Sequence, residues 1–344
     1  MIKVWFNHWF STSYRLIELM KEDAREQIYV IGSNRQRDSV IQKVCDEWYE
    51  EPDIDGEEYL AFCLEFCRAH RVDAFVPRRK MVEISQNRER FSQLGVRVMA
   101  DAYDTIALLN DKAAAYTFFK DCGGLHIPDF FVVNQYEAFE QAYRRLRADY
   151  GQVCVKFVSD EGGMSFRKIV DQVDPLRQLR TYPGSSIAFE TLAETLRAAK
   201  TFDDMMVMPY LPGKEISVDC LQTGKGLIAI PRTKGAARHE YVAYNAEILR
   251  MAEHIAERTG LQCPCNIQFR FMDDVPFLLE VNTRMSGGLQ MSCLAAQVNI
   301  PNIALNKLFG REIDWTMDRA EKTVSYIELP QIITVPFSRR STLP

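Results

Sequence analysis

An acid and an amide interrupt an apolar stretch in the last quarter of the chain. Residues 276–288 read PFLLEVNTRMSGG, in which Glu280 and Asn282 follow apolar residues typical of a buried strand. Side chains two residues apart on a strand point to the same face. A buried carboxylate without a partner is costly. The spacing therefore predicts that this face of the strand holds a cation.

The preceding segment supplies a third oxygen-bearing side chain. CNIQFRFM (265–272) is predicted to be a strand that pairs with 276–282 across a turn at 273–275. Oxygen ligands of low total charge suit Mg²⁺ or Mn²⁺, which share their ligand shells with water and nucleotide phosphates. The candidate metal ligands are Gln268, Glu280 and Asn282. Spacing alone leaves one alternative open, a structural ion pair of Glu280 with Arg284 or another base.

Alternating strand and helix signals in the first hundred residues predict the scaffold that precedes this hairpin. Apolar strands are predicted at 2–6, 27–34, 72–77 and 96–100, and amphipathic helices at 13–24 and 57–71. This alternation is typical of an α/β fold with a parallel sheet, which binds ligands at the carboxyl ends of its strands. The loop after the first strand lacks the GxGxxG fingerprint, which argues against a nicotinamide-dependent enzyme.

Three basic residues stand together where the third of these strands ends. Arg78, Arg79 and Lys80 follow Pro77. Charge runs are usually solvated surface clusters. Bases at the carboxyl edge of a parallel sheet can also bind a substrate carboxylate or phosphate. Both interpretations stay open, and Arg78 and Arg79 are candidate carboxylate anchors.

From about residue 104 the order of elements changes. A helix at 104–123 is interrupted near Asn110–Asp111, where the aspartate can cap the second half. Further strands are predicted at 128–133, 152–158, 227–234 and 325–332, and the segment 205–222 is predicted to contain two strands joined by a Pro-bounded turn. Further helices are predicted between 133 and about 149, at 187–200 and at 245–260. The strands between 205 and 234 are joined by short turns, as in a meander.

Length and composition narrow the class of protein. A chain of 344 residues exceeds what one core usually holds, which predicts two or three sub-domains. A net charge of -5 argues against a nucleic-acid partner and against an anionic membrane surface. Nine scattered cysteines do not predict a disulfide framework. The amino-terminal segment resembles neither a membrane span nor a cleaved signal, so we expect a cytoplasmic protein.

The predicted hairpin resembles the metal-binding hairpin of the ATP-grasp superfamily. NIQF is followed by LLEVNTR, with twelve residues from Gln268 to Glu280. The pattern is most similar to the branch that contains the large chain of carbamoyl-phosphate synthetase, biotin carboxylase and related carboxylate-amine ligases. The resemblance covers about 105–310. It implies a parallel-sheet α/β domain at 1–103, then a two-lobed α+β ATP-grasp fold with a small lobe at 104–200 and a carboxyl-terminal lobe at 201–344.

The resemblance also implies which residues bind the phosphates of ATP. Lys112, in LLNDKAAAY, matches the lysine that opens the ATP-grasp domain, and Lys156, in VCVKFV, matches the strand lysine near the α-phosphate. The segment SDEGGMS (159–165) is similar to the loop that folds over the phosphates, where Gly162 and Gly163 bring backbone N–H groups close. Two surface lysines and a plain hairpin turn are the alternatives.

The segment MPYLPGKE (208–215) resembles the adenine hinge of the family. The resemblance implies that backbone groups of Met208, Tyr210 and Leu211 bind the adenine edge and that Glu215 holds the ribose hydroxyls. The family often carries an acid where this chain has Met208, a change that backbone recognition tolerates. The alternative is a Pro-bounded turn with a surface acid.

Two arginines match positions near the transferred phosphoryl group. Arg232, in AIPRTK, stands where related ligases carry an arginine that faces the active site, and Arg284 follows the metal ligands. Catalysis of phosphoryl transfer depends mainly on stabilising the negative charge of the transferred group. The Gly287–Gly288 pair beyond them would let the backbone approach a substrate. His239 has no match and is expected to face solvent.

The resemblance implies an ATP-dependent ligase that uses ATP and Mg²⁺ (or Mn²⁺). A substrate carboxylate would form an acyl-phosphate, from which an amine or a similar nucleophile displaces phosphate. Its partners would be small-molecule acids and amines, and a homodimer is the family-level expectation. Two alternatives stay open: a bicarbonate-activating carboxylase or carbamoyl-phosphate-like enzyme, and an ATP-binding regulatory protein without turnover.

Overall fold

The computed structural model describes residues 1–8, 10–23, 25–36, 38–159, 163–174, 176, 184–235, 239–325 and 332. The chain forms two compact units. The first unit contains 1–107, 216–267 and 281–344, and the second contains 108–215 and 268–280. The chain therefore passes between the units several times, and the three consecutive domains expected from the sequence stay a prediction. No helix in the described part of the chain is both long and apolar enough to cross a membrane.

A five-stranded parallel sheet opens the first unit, as the sequence predicts. Its strands are β1 (Ile2–Phe6), β2 (Ile28–Asn34), β3 (Glu47–Glu50), β4 (Ala74–Val76) and β5 (Arg97–Val98), in the order β3-β2-β1-β4-β5. The edge strand β3, EWYE, was not predicted because it contains no alternation of buried and exposed residues. Its side chains are half-buried or exposed, so the apolar signal of a strand is missing.

Helices cover both faces of this sheet. They are α1 (Ser13–Lys21), α2 (Gly56–His70), α3 (Met81–Gln86) and α4 (Arg88–Gln93), with a 3₁₀ helix at Val40–Lys43. Val4 and Phe6 pack into one apolar cluster with α1, whereas Trp5 packs into another with α2. This alternation follows the two-residue period of a strand and explains why β1 is apolar throughout.

The second unit is built on another five-stranded sheet. Its strands are β6 (Phe131–Val133), β7 (Val153–Phe157), β8 (Arg167–Val170), β9 (Ser186–Ala188) and β10 (Met205–Pro209), in the order β6-β10-β7-β8-β9. Its helices are α6 (Lys112–Cys122), α7 (Tyr136–Tyr150) and α8 (Phe189–Ala199). The predicted helix break is confirmed: α5 (Tyr103–Asn110) ends before Asp111, whose carboxylate accepts the N–H groups of Ala113 and Ala114, each at 2.9 Å.

A six-stranded sheet carries the predicted hairpin. Its strands are β11 (Glu215–Thr223), β12 (Gly226–Lys234), β13 (His239–Val242), β14 (Cys265–Met272), β15 (Val275–Asn282) and β16 (Lys322–Ser325), in the order β15-β14-β11-β12-β13-β16. The helices that follow or interrupt it are α9 (Ala246–Thr259), α10 (Leu289–Ala296) and α11 (Ile300–Leu308). Asp273 and Asp274 have φ of 48° and 61°, as in the tight turn of a hairpin. Val275, predicted to lie in the turn, begins β15 instead.

Two other strand regions differ from the expectation or lie outside the described residues. The predicted strand at 325–332 lies outside the described residues except at its two ends, and the described strand β16 ends at Ser325. Strand β13 was not predicted, and His239 at its start is exposed, as expected. All nine cysteines are free thiols, in agreement with the absence of a disulfide pattern.

Candidate functional site

One backbone carbonyl in the second unit gathers a tyrosine and a lysine beside the predicted metal ligand Glu280. The Tyr116 hydroxyl, on α6, donates to the Leu279 carbonyl at 2.7 Å. The Lys156 ammonium, on β7, donates to the same oxygen at 3.4 Å and lies 5.3 Å from the centre of the Tyr116 ring. Burial, together with the charge of Glu280, holds the pKa of Tyr116 well above its ordinary value, so its hydroxyl stays a donor.

The second predicted phosphate-binding lysine is also buried in this unit. Lys112 is the first residue of α6, only 9% of its surface is exposed, and its ammonium donates to the Val158 carbonyl at 3.2 Å. Lys156 is 7% exposed. Two ammonium groups so withdrawn from water, one on β7 and one beside its end, are suited to a polyphosphate. The alternative of two surface lysines is therefore wrong.

The predicted phosphate loop is described only in part. Gly162 lies outside the described residues. Gly163 is exposed with φ of 67°, a conformation that favours glycine. The Ser165 hydroxyl accepts the Phe157 N–H at 2.9 Å, which ties the end of the loop to β7.

Tyr210, in the predicted adenine hinge, has basic side chains from two strands close to its ring. The Tyr210 ring centre lies 4.1 Å from the Lys168 ammonium and 5.5 Å from the Arg270 guanidinium. Arg270 also faces Glu215, with 3.7 Å between charged atoms. The sequence did not single out either base, since each lies on a strand among ordinary alternating residues. Together they add positive charge beside the segment expected to hold a nucleotide.

Hydrogen bonds within the hinge limit which backbone groups can bind a base. The Tyr210 backbone N–H already donates to the Gln152 carbonyl at 2.9 Å, so of its two backbone groups only the carbonyl could contribute to an adenine edge. Met208 is buried in β10, where it is paired with Cys154 of β7. Leu211, directly after Tyr210, is also buried.

The three predicted metal ligands are half-buried side chains on β14 and β15. Along β14, Gln268 alternates with buried neighbours. Along β15 the alternation changes phase at Leu279–Glu280, where two half-buried residues follow each other, and Asn282 continues the new phase. One carboxylate and two amides give the oxygen-only donor set that Mg²⁺ takes, so the residues present fit the ion.

A metal held here would need ligands from outside the protein. Among the described residues, no three His, Cys, Asp or Glu side chains come together in one group. Two neutral amides and one carboxylate bind a divalent cation weakly by themselves. Mg²⁺ ordinarily completes such a shell with water and with the phosphates of a nucleotide.

Arg232, the first predicted catalytic arginine, lies buried in the first unit between two carboxylates. It is 2% exposed. Its guanidinium donates to Asp219 Oδ2 at 3.2 and 3.3 Å, and to Glu240. The two negative charges outweigh the effect of burial and raise the pKa of Arg232 above its ordinary value. Sequence spacing does not reveal this network, because Asp219 lies on a different strand from Arg232.

Gly288 is required by this buried guanidinium. A Cβ atom at Gly288 would lie 2.2–2.4 Å from the terminal atoms of Arg232. We expect Gly288→Ala to destabilise the protein by about 1–3 kcal/mol, since the held guanidinium has no room to move. The matched control is Gly184→Ala, where an added Cβ meets nothing within 4 Å. Thermal unfolding followed by circular dichroism tests this, and equal melting temperatures for the two variants would contradict it.

The basic residues at the edge of the first sheet differ in their surroundings. Arg79 donates to Glu51 at 3.1 Å and to the Ile54 carbonyl, and its guanidinium lies 4.0 Å from the Tyr59 ring centre. These contacts hold Arg79 within the fold. Arg78 is 6% exposed, so neither arginine belongs to a solvated surface cluster. That interpretation of the basic run is wrong for both residues.

His8, which the sequence did not single out, lies at the same edge. Its Nδ1 is 2.9 Å from the Ser13 hydroxyl and its Nε2 is 3.2 Å from the Val76 carbonyl. Burial, together with the charges of Arg78 and Arg284, lowers the pKa of His8 to about 3. A neutral imidazole that donates from Nε2 and accepts at Nδ1 satisfies both contacts. Arg78 and Arg284 therefore approach one point of the first unit.

The low pKa of His8 makes stability depend on acid. The unfolded chain binds a proton at this histidine below about pH 6.5, whereas the folded protein does not until about pH 3, so stability falls as the pH drops below 6.5. We expect the native protein to lose about 1.4 kcal/mol more than His8→Gln between pH 7.5 and pH 5.5. Urea unfolding followed by tryptophan fluorescence measures this. Parallel pH profiles for the two proteins would show that His8 has the same pKa in the folded and unfolded states, and would contradict the prediction.

A family sequence model described as "ATP-grasp in the biosynthetic pathway with Ter operon" matches residues 201–330. A search of the curated proteins finds no match. The match includes the predicted adenine hinge, the buried Arg232 and the hairpin that carries the predicted metal ligands. It thus covers the part of the chain in which most of the candidate residues lie.

Solved structures show the same fold over nearly the whole chain. N5-carboxyaminoimidazole synthetase from Staphylococcus aureus, complexed with ADP, has a TM-score of 0.69 and 12% identity, covering 95% of this chain and 82% of that chain. The biotin carboxylase domain of Hydrogenobacter thermophilus 2-oxoglutarate carboxylase, complexed with MgADP, ADP and bicarbonate, has a TM-score of 0.66 and 16% identity, covering 91% and 71%. L-amino acid ligase from Bacillus licheniformis has a TM-score of 0.63 and 13% identity, covering 90% and 74%.

The chain therefore has the ATP-grasp fold, preceded by a parallel-sheet α/β segment. The resemblance predicted from the hairpin is confirmed at the level of the fold.

Proposed function

We propose that this protein is an ATP-dependent ligase that activates a substrate carboxylate as an acyl-phosphate and joins it to an amine or a similar nucleophile. The observation that carries the proposal is the Leu279 carbonyl, which brings the Lys156 ammonium and the Tyr116 hydroxyl beside Glu280. A buried cation next to a half-buried carboxylate gives one place where phosphates and a divalent metal can both be bound. The ATP-grasp fold supports the same conclusion.

The nucleotide would be bound mainly by the second unit. Lys112 and Lys156 would neutralise phosphates, and N–H groups of Gly162 and Gly163 would bind phosphate oxygens. The Leu211 N–H and the carbonyls of Met208 and Tyr210 would bind the adenine edge, and Glu215 the ribose hydroxyls. Gln268, Glu280 and Asn282 would hold Mg²⁺ (or Mn²⁺), which when bound neutralises charge on the phosphates.

The reaction would proceed in two displacements. A carboxylate oxygen of the substrate attacks the γ-phosphorus, the bond to the bridging oxygen breaks, and ADP leaves. The nucleophile then attacks the acyl carbon, loses a proton, and phosphate leaves. Arg284 would stabilise the negative charge of the transferred group, and Arg78 would bind the substrate's anionic group, since both lie near His8 in the first unit.

The resemblance to related ligases implies a role for Arg232 at the transferred group as well. Because its guanidinium already donates to Asp219, Glu240 and Ser292, we propose that it acts mainly by fixing the segment around Arg284. A homodimer is also a proposal, supported by the domain dimer of the 2-oxoglutarate carboxylase structure. Light scattering on the purified chain tests it.

Phosphate release with Mg²⁺-ATP tests the proposed activity. The full chain is incubated with pools of amino acids, small carboxylic acids and bicarbonate, singly and in pairs. We expect release that requires an acid and a second, nucleophilic component. Release with bicarbonate alone would favour the bicarbonate-activating alternative. ATP binding without release in any pool, shown by calorimetry, would contradict a ligase that uses these substrate classes.

A further inference from the structure

A carboxylate with no exposed surface lies at the centre of the network around Arg232. Asp219 is 0% exposed. Its Oδ1 accepts from Asn266 at 2.8 Å and from the Ser286 hydroxyl at 2.6 Å. Its Oδ2 accepts from the Ser292 hydroxyl at 2.5 Å and from Arg232. One side chain of β11 thus connects β12, β14 and the segment that follows β15.

Two of these donors belong to the segment that contains Arg284. Ser286 lies two residues after Arg284, and Ser292 lies in α10. The Ser286 hydroxyl also accepts the Gly288 N–H at 3.2 Å, so the same oxygen fixes both a side chain and the backbone. The Arg232 guanidinium donates to Ser292 at 3.0 Å and packs against Gly288. The segment from Ser286 to Ser292 is therefore anchored at both ends on Asp219.

The chemistry of these contacts makes the anchor stiff. Hydrogen bonds to an ionised acceptor are about twice as strong as those between neutral groups. Within a buried site they are screened little by water. An arginine that must meet a developing charge loses much of its effect when displaced by about 1 Å. A rigid support would therefore help to keep Arg284 in the position that catalysis requires.

We infer that Asp219 is a positioning residue, which holds the segment 284–292 through Ser286 and Ser292 and so fixes Arg284 in the place where it acts. The role in catalysis rests on the proposed ligase function. The anchoring itself does not, and can be measured without turnover.

The test compares two buried serines of the same network. Ser286→Ala removes one contact to Asp219 and the acceptor of the Gly288 N–H. The control Ser217→Ala removes a hydroxyl that contacts Asn266 on the strand side only, at 2.9 and 3.1 Å. Each variant deletes one buried oxygen and keeps the charge of Asp219. We therefore expect both variants to fold. Hydrogen exchange is then measured by mass spectrometry on peptides that cover 284–292.

We expect Ser286→Ala to accelerate amide exchange in these peptides at least about fivefold, and Ser217→Ala to leave it unchanged, since one lost bond to a charged group changes an opening equilibrium by that order. Equal exchange in the two variants would overturn the anchoring. With turnover in hand, Ser286→Ala should lower kcat about tenfold without changing the KM for ATP. Faster exchange with an unchanged kcat would confirm that Asp219 anchors the segment, but it would contradict the proposal that this anchoring positions Arg284 for catalysis.

Discussion

Replacing Glu280 with glutamine is expected to lower the rate of ATP-dependent turnover by about 10²–10³-fold while the protein stays folded. Glu280 is the one carboxylate of the proposed metal ligands, and losing the charge stabilisation of a metal site costs several kcal/mol in the barrier. The glutamine keeps the shape and the half-buried position of the side chain. The KM for ATP should rise as well, because the metal and the nucleotide bind together. Steady-state phosphate release at saturating and limiting Mg²⁺ measures both quantities.

The same hairpin offers a matched control. Asp274 is exposed in the tight turn, where asparagine tolerates the positive φ as well as aspartate does. Asp274→Asn thus changes one charge of the hairpin at a place that has no proposed ligand, and its turnover should match that of the native protein. If Glu280→Gln retains more than about a tenth of the native rate at every Mg²⁺ concentration, Glu280 is a structural residue, as in the ion-pair alternative.

Arg232→Met should give the largest loss of stability, about 3–5 kcal/mol. Methionine is close in volume to the arginine stem, but the change leaves Asp219 and Glu240 without the cation between them. Removing one partner of a buried ion pair has this cost because an uncompensated charge stays in the interior. Urea unfolding followed by tryptophan fluorescence reports on the first unit, which contains Trp5, Trp48 and Trp315.

An exposed ion pair of the same unit provides the comparison. Arg68 and Glu65 face each other on α2 at 2.5 Å, with side chains 62% and 65% exposed. Arg68→Met should cost less than about 0.5 kcal/mol, since water screens such a pair. A loss for Arg232→Met no greater than that for Arg68→Met would mean that the buried network contributes little, and it would remove the physical basis for an anchor at Asp219.

Local features of the structure could be predicted from the sequence because their physical causes are local. Strand β1 alternates between two apolar faces, which its residue types reveal directly. The helix break at Asp111 follows from a side chain that accepts N–H groups two and three residues ahead. The hairpin follows from two strand patterns that flank a two-aspartate turn. The first two signals are contained within about ten residues, and the third within residues 265–282.

Features that depend on distant residues could not be predicted. Asp219 and its donor Ser292 are 73 positions apart in the chain. Tyr116 contacts Leu279 across 163 positions. Neither pair has a spacing rule, because Ser292 and Tyr116 lie on helices, and only the packing of each helix in the tertiary structure brings it to the strand of its partner. A buried arginine such as Arg232 could thus be expected near a phosphoryl group on the strength of a family pattern, while its carboxylate partners stayed unknown.

Strands with few buried side chains form a third group. They are β3, at the edge of its sheet, and β13, which lies between β12 and β16. The periodic signal that identifies a strand is therefore weak in them, although backbone pairing to β2 and β12 is regular. The strands that the sequence does not reveal are thus those that contribute little to the apolar core.

Transfer of an oxygen isotope from the substrate to phosphate tests whether the enzyme forms an acyl-phosphate. The full chain is incubated with Mg²⁺-ATP, a pool of nucleophiles and carboxylic acids labelled with ¹⁸O in the carboxylate, and the released phosphate is analysed by mass spectrometry. An acyl-phosphate passes one carboxylate oxygen to phosphate, so we predict ¹⁸O-phosphate in amounts equal to the ADP formed. Phosphate that carries no label while ADP accumulates would show that ATP is cleaved without activation of a carboxylate, and would contradict the proposed ligase.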